Sequence, residues 1–137
     1  MGKFARPKVR EYSFVSLEQF VCDICEEVDE GYNIDIFVSC EEAQDYITAI
    51  MATGRFRPQS IEYGTPEMIG YEDEYIISLS RDGELFIEKA WSDKCDKYII
   101  GDPSVTDIVF ISQDVSKTLY DQAVDSGLNI VHFDIED

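Results

Sequence analysis

Two cysteines, Cys22 and Cys25, have the C-x-x-C spacing that redox centres and zinc sites use. A redox pair gains reactivity at a helix N-terminus, where the helix dipole lowers the thiol pKa. Here the pair falls in the second turn of a predicted helix, and the remaining cysteines, Cys40 and Cys95, stand too far apart to supply a second zinc-binding pair. The pattern therefore favours small core residues over metal or redox chemistry.

Other arrangements that could do chemistry are incomplete. The single histidine, His132, lies between apolar residues, and no nucleophile motif accompanies it. Asp29, Asn33 and Asp35 alternate around Gly31 as calcium ligands do, but the glycine is misplaced for an EF-hand and the closing glutamate is missing. Neither glycine-rich phosphate-binding motif occurs. We therefore predict no catalytic residue, no metal and no cofactor.

Acidic residues interleaved with tyrosine favour a binding function instead. Tyrosine contributes contact area and a hydroxyl to protein interfaces at a low entropic cost. Carboxylates on one face of a strand repeat every ~6.6–6.8 Å, which is close to the spacing of phosphates along a nucleic-acid strand. The predicted partner-binding residues are Glu62, Tyr63, Tyr71, Glu72, Asp73, Glu74 and Tyr75.

The charge is strongly and unevenly acidic. The chain carries 29 acidic and 11 basic residues, a formal net charge of −18, and no Lys or Arg occurs from Glu11 to Gly54. A field of this size repels nucleic acid and anionic membranes and attracts cationic protein surfaces. We therefore expect a basic protein as partner, and no direct binding of the acidic body to free DNA or to a membrane.

Basic residues concentrate at the N-terminus. Pro7 argues against a central strand there, so residues 1–10 are predicted to form a basic arm or an edge strand. Such an arm could fold back on the acidic body or reach a second patch on a partner, or it could be a disordered chain end. The basic residues of the arm are Lys3, Arg6, Lys8 and Arg10.

Local patterns predict the elements that position these residues. Capping boxes at Ser16 and Ser39 open two helices with apolar stripes, and a third helix ends before Gly127. An Asp-Gly pair at 82–83 predicts a hairpin turn. Strands are predicted at 33–39, 74–80, 84–90, 98–100, 107–112 and 129–135, and 60–63 is a candidate for a further short strand.

These elements predict a single acidic α+β domain over residues 11–137. The sheet is expected to be mixed but mostly antiparallel, with three helices, in the order α-β-α-β-β-β-β-α-β. A chain of 137 residues can fold as one domain without disulfides or metal. With no apolar run of spanning length and no secretory signal, we expect a cytoplasmic protein with reduced thiols.

A short segment occurs twice, as VDEGYNI at 28–34 and VDSGLNI at 124–130, with five of seven letters shared. Both copies fall where a predicted helix ends and a strand begins. Gly31 and Gly127 take the position that prefers left-handed backbone geometry. We interpret the match as a structural joint used twice rather than as a repeated active-site loop, and ancestral duplication stays open.

The combined features predict a non-catalytic interaction protein that binds and inhibits a basic nucleic-acid-binding protein, a nuclease or its ribonucleoprotein complex. In size and composition the chain resembles the acidic inhibitors of phages and mobile elements, such as anti-CRISPR and antirestriction proteins, and nuclease immunity proteins. That resemblance implies nucleic-acid mimicry and carries over no residue. Two alternatives remain: a small enzyme or ligand-binding domain with a pocket at strand ends, and a subunit that pairs through the 74–90 hairpin.

Overall fold

The computed structural model describes residues 4, 8–61, 74–92, 96–100 and 105–136, without the side chains of 60, 61 and 92. Within these ranges the chain forms three helices and nine strands. In chain order they are β1 (Val9–Phe14), α1 (Leu17–Asp29), β2 (Ile34–Ser39), α2 (Cys40–Ala52), β3 (Arg57–Ile61), β4 (Glu74–Leu79), β5 (Glu84–Lys89), β6 (Trp91–Ser92), β7 (Lys97–Tyr98), β8 (Ile108–Ser112), α3 (Lys117–Asp125) and β9 (Ile130–Ile135).

Seven of these strands form one sheet, in the order β1-β9-β8-β2-β4-β5-β3. The pairs β1/β9, β9/β8, β8/β2 and β5/β3 are parallel, while β4 is antiparallel to both of its neighbours, β2 and β5. Strands β6 and β7 form a separate antiparallel ribbon. A single α+β domain with three helices and a mixed sheet is confirmed, but the prediction of a mostly antiparallel sheet is wrong.

Three strand–helix–strand connections, β1-α1-β2, β2-α2-β3 and β8-α3-β9, join strands that run in the same direction. Of these, β8-α3-β9 joins two neighbouring strands, and its helix supplies the crossover that a parallel pair needs. The other two connections carry the chain past intervening strands of the sheet. The predicted element order omitted β1 and contained fewer strands between α2 and α3 than the structure has. The predicted β4–β5 hairpin is present, and Gly83 in its turn has a φ of 87°.

The helices cover both faces of the sheet. Phe20 of α1 and Tyr46 of α2 pack in one buried cluster with Ile36 of β2. Leu119 of α3 packs in a second cluster with Phe37, the next residue of β2. Because successive strand residues point to opposite faces, α1 and α2 lie on one side of the sheet and α3 lies on the other. Strands β2, β4 and β8 are consequently buried.

The repeated segment is a structural joint in both places. Gly31 has a φ of 99° and Gly127 has a φ of 78°, and each follows the end of a helix. The predicted left-handed backbone geometry is therefore confirmed at both glycines. The asparagines that follow hold neighbouring segments at the amino end of the sheet. Asn33 Nδ2 donates to Val105 O over 3.0 Å, and Asn129 Nδ2 donates to Phe4 O over 2.7 Å.

Candidate functional site

A cavity of about 570 Å³ opens at the carboxyl end of the sheet. It lies where β2 and β8 run side by side and their following helices, α2 and α3, depart to opposite faces. Doubly wound sheets bind ligands in the crevice at such a switch point. The lining residues are Leu17, Glu42, Asp45, Tyr46, Ser112, Gln113, Asp114, Asp134 and Ile135.

The cavity lining is acidic. Four of its nine residues are Asp or Glu, and none of the lining residues that the structure describes is Lys or Arg. The acids come from separate parts of the chain: Glu42 and Asp45 from α2, Asp114 from the β8–α3 loop, and Asp134 from β9. Ser13 of the edge strand donates a short hydrogen bond to Asp134 Oδ1 and so holds that carboxylate in place.

Glu42 is the most constrained of these acids. Its Oε1 accepts hydrogen bonds from Ser112 Oγ at 2.9 Å and from Ser39 Oγ at 3.2 Å. Ser39 is the N-cap residue of α2, but its side chain makes no capping hydrogen bond. The predicted capping box at Ser39 is therefore wrong, because that hydroxyl donates to Glu42 at the cavity rather than accepting from the helix backbone. In contrast, the Ser16 hydroxyl accepts from Gln19 N, as predicted.

The surroundings of Glu42 and Tyr46 in the cavity favour the protonated forms of these two residues. Burial raises the pKa of Glu42, the hydrogen bond from Ser112 opposes that rise, and the nearby Asp114 carboxyl adds to it. Burial, together with Glu42 and Asp114, also raises the pKa of Tyr46 above its usual range. Like charges at short range destabilise each other's ionised forms. A positive group placed in this cavity would reverse that effect and stabilise the carboxylates.

The cavity arrangement differs from a metal centre. Within the described ranges, no group of three or more His, Cys, Asp or Glu side chains has a geometry that could hold a metal ion. Carboxylates and hydroxyls instead surround a space bordered by Leu17, Ile135 and the Tyr46 ring. Such a lining can accept several hydrogen bonds from one donor-rich group while covering apolar surface beside it.

Among the described basic residues, Lys89, Lys97 and Lys117 lie toward the carboxyl end of the sheet. The other five lie at the opposite end. That end is where β1 and β3 begin and β4 finishes. Arg55 there pairs with Asp29 of α1. At the carboxyl end, Lys117 pairs with Asp121 within α3 at 2.7 Å. The described basic residues at the amino end are Lys8, Arg10, Arg55, Arg57 and Arg81.

Most of the predicted acid–tyrosine surface, Glu62, Tyr63, Tyr71, Glu72 and Asp73, lies outside the described residues. The two remaining members begin β4.

Tyr75 is fully buried, with 0% of its surface exposed, which removes it from the predicted contact surface. It lies on β4, which is covered on both faces and flanked by strands on both edges. Glu74, the first residue of that strand, is partly buried and accepts a 3.5 Å hydrogen bond from Tyr98 OH. Whether the 62–75 segment binds a partner stays a prediction.

The basic arm is only partly described, since Lys3 and Arg6 lie outside the described residues and Lys8 is exposed. Arg10 belongs to β1 at the edge of the sheet, in agreement with the edge-strand alternative. Its guanidinium donates to Phe4 O at 2.6 Å and to Asn129 Oδ1 at 2.9 Å. Arg10 therefore anchors Phe4 to the domain.

The other candidate residues are separate from the cavity. Cys22 and Cys25 are free thiols on α1, and burial raises the pKa of Cys25, which disfavours the reactive thiolate. His132 Nδ1 lies 3.3 Å from Glu11 Oε1 on neighbouring strands. Asp35 accepts hydrogen bonds from two hydroxyls, those of Ser78 at 2.8 Å and Thr106 at 3.0 Å.

Sequence reasoning missed Glu42, Ser112, Asp114 and Asp134 as site residues. Each stands at or just beyond the carboxyl end of a strand, and those strands were located from the sequence. Had the parallel pairing of β2, β8 and β9 been predicted, the rule that ligands bind at the carboxyl ends of parallel strands would have identified them.

The described helices and the comparisons with other proteins add two findings. None of the helices in the described part of the chain is long and apolar enough to cross a membrane. Comparisons with protein-family models, with curated proteins and with solved structures found no match to this chain.

Proposed function

We propose that this protein is a non-catalytic, cytoplasmic interaction protein that binds a basic nucleic-acid-binding protein or nuclease and inhibits it. The contact surface is the carboxyl end of the sheet. The observation that supports the proposal is the cavity there, whose described lining has four acids and no Lys or Arg. In a chain of net charge −18, that end is suited to a cationic surface.

Exposed acids extend the negative surface around the cavity. Glu18 follows the lining residue Leu17, Glu41 and Asp45 lie on the first turns of α2, and Glu136 follows β9. All four are exposed, and we call them the acidic rim. Carboxylates three or four residues apart on a helix are ~5–6 Å from each other, which resembles the repeat of a phosphate backbone.

Inhibition on this basis is steric. Complementary charge accelerates the encounter between the acidic rim and a basic groove, and the bound protein occupies the groove where nucleic acid would lie. Because exposed charges are screened by salt, binding should weaken steeply as ionic strength rises. A partner that carries its own RNA would be bound through whichever basic surface the RNA leaves open.

The test is capture of a basic protein followed by a functional assay. The protein is immobilised in a host lysate at low salt and at about 0.5 M salt, where the screening length falls to ~4 Å. Captured proteins are then purified, and their nucleic-acid binding or cleavage is measured against increasing amounts of this protein. Salt-sensitive capture with dose-dependent inhibition is expected, and capture without inhibition would contradict the proposal.

Two matched variants locate the contact surface. One replaces the acidic rim by Gln and Asn. The other removes four exposed acids at or toward the amino end, Glu26, Glu30, Asp82 and Asp125. Both lose the same charge, so a rim-specific loss of about tenfold or more in affinity separates local contact from net charge. Equal losses in both variants would show that the rim is not the contact surface.

A ligand-binding domain or small enzyme is the second candidate. It is favoured by the position of the cavity at the switch point and by the buried Ser112 hydroxyl bonded to Glu42. A small molecule that bound in the cavity and was chemically changed would favour this function. The 74–90 hairpin offers no free edge for assembly, because β4 pairs with β2 and β5 pairs with β3. A role as a subunit of a larger assembly stays a prediction that size-exclusion chromatography would test.

A further inference from the structure

We infer that the carboxyl-end cavity binds one organic cation, a guanidinium or alkylammonium group carried on an apolar stem. This inference rests on the proposed function, because it names the chemical group by which a basic partner would be held. It goes further in assigning that group to the cavity, which shares Asp45 with the acidic rim.

The first argument is the convergence of uncompensated charge. Glu42, Asp45, Asp114 and Asp134 reach one cavity from a helix, a loop and a strand, and the described lining contains no Lys or Arg. A cation within ~4–6 Å would stabilise the ionised form of each carboxylate. A guanidinium has five N–H donors in a planar fork, which matches a set of carboxylate acceptors better than a spherical ion does.

The second argument is the mixed character of the walls. Leu17 and Ile135 border the acidic part of the cavity, and the Tyr46 ring lies beside them. Arginine and lysine stems pack on apolar surface while their charged ends bond to polar groups. A volume of about 570 Å³ falls within the range of small-ligand pockets and leaves room for the stem as well as its charged head.

The third argument is the state of Glu42 without a cation. Two hydroxyls donate to its Oε1, and burial together with the nearby Asp114 carboxyl raises the pKa of Glu42. A cation bound beside Glu42 stabilises the carboxylate and opposes that rise, so binding favours loss of the Glu42 proton.

Cation affinity should consequently rise with pH through the range in which Glu42 loses its proton. The charged or titratable residues that line the cavity together with Glu42 are acidic or phenolic. They are Asp45 and Tyr46 on α2, Asp114 before α3, and Asp134 on β9. None of them supplies a competing positive charge.

The experiment titrates the intact protein with N-acetyl-arginine amide and with its neutral isostere, N-acetyl-citrulline amide. Binding is followed by calorimetry and by the amide NMR shifts of the cavity residues. The arginine compound is expected to bind and to shift those residues, and the citrulline compound is expected to bind at least about tenfold more weakly. Equal binding of the two, or no binding of either, overturns the inference.

Matched variants give a second readout. Glu42→Gln and Asp114→Asn should each weaken binding of the arginine compound about tenfold. Asp125→Asn removes the same charge from an exposed position at the far end of α3 and should leave binding within about twofold. An equal loss of affinity in Asp125→Asn would show that binding depends only on the net charge of the protein, and would overturn the inference. If the variants do not fold, the comparison of the arginine and citrulline compounds on the wild-type protein still tests the inference.

Calorimetry at several pH values, in two buffers of different ionisation enthalpy, measures the proton that Glu42 releases on binding, and an affinity that does not rise with pH contradicts this third argument. A parallel titration with spermidine shows whether the cation comes from a free polyamine or from a protein side chain. Tighter binding of spermidine favours the polyamine, and tighter binding of the arginine compound favours the side chain. If the arginine compound binds but no basic protein is captured, the proposed function fails while this inference stands. If a basic protein is captured equally well by the Glu42→Gln variant, this inference fails while the proposed function stands.

Discussion

Ser112 Oγ donates a 2.9 Å hydrogen bond to Glu42 Oε1 and thereby joins the last residue of β8 to the first turn of α2. The two residues are 70 positions apart in the chain. Ser112 is buried, and its hydroxyl also accepts the backbone N–H of Asp114 at 3.2 Å. This contact sets the shape of the cavity at the switch point, because it fixes the two segments that diverge there.

Replacing that serine should destabilise the fold. Ser112→Ala removes one donor to Glu42 and the acceptor of the Asp114 N–H, so we expect the free energy of unfolding to fall by about 1–2 kcal/mol. Ser39→Ala is the matched control, since its bond to the same oxygen is longer, at 3.2 Å, and its loss should cost less. Urea unfolding of both variants measures the difference, and equal costs would argue against a special role for Ser112.

The buried carboxyl of Asp35 should make stability depend on pH. Burial raises its pKa above the ordinary 3.8, although the bonds from Ser78 and Thr106 oppose this. The unfolded chain then loses its proton at a lower pH than the folded protein does. The contribution of Asp35 to the free energy of unfolding is therefore greatest below the ordinary pKa. It declines as the pH rises from that value to the raised pKa of the folded protein, and it does not change further above it.

Asp35→Asn should therefore remove that decline, because an amide keeps a partner for both hydroxyls and carries no charge. The variant is expected to gain stability relative to the wild type at neutral pH and little in acid. Unfolding free energies measured from about pH 3 to pH 7 give the test. A variant with an unchanged pH profile would place the dependence on other groups.

Arg10 and Lys8 should differ although both belong to the predicted arm. Arg10→Ala removes the donors to Phe4 O and Asn129 Oδ1, and we expect a loss of about 1–2 kcal/mol in unfolding free energy. Lys8→Ala changes an exposed side chain and should stay within about 0.5 kcal/mol of the wild type. Thermal unfolding of the two variants is sufficient, and similar midpoints would mean that Arg10 is not an anchor.

The glycines of the repeated joint should each resist substitution. No atom lies within 4 Å of a Cβ added at Gly31 or Gly127, so Gly→Ala there costs only the left-handed backbone conformation, about 1–2 kcal/mol. Asparagine, which adopts that conformation more readily, should cost less at both positions. Chemical denaturation of the four variants tests this, and a costless Ala would contradict the assigned backbone geometry.

The predicted elements agree with the structure where the signal is local. Ser16 caps α1, Gly31 and Gly127 follow their helices, and the Asp-Gly turn forms the β4–β5 hairpin. Each depends on a few adjacent residues, so short sequence windows contain the information. The prediction of a capping box at Ser39 failed for the opposite reason. Ser112, which lies far along the chain, donates to the same Glu42 oxygen that accepts from Ser39, and no short sequence window contains that contact.

The amino-acid sequence by itself determined the helices, most of the strands, the hairpin and the excess of negative charge. Periodicity, turn chemistry and composition are properties of neighbouring residues and of the whole chain. Only the tertiary structure decided that six strands of the sheet run in one direction and that Glu42, Asp114 and Asp134 meet at one cavity. Strand pairing depends on contacts between distant segments, and the pattern within a strand is the same whichever way its neighbour runs.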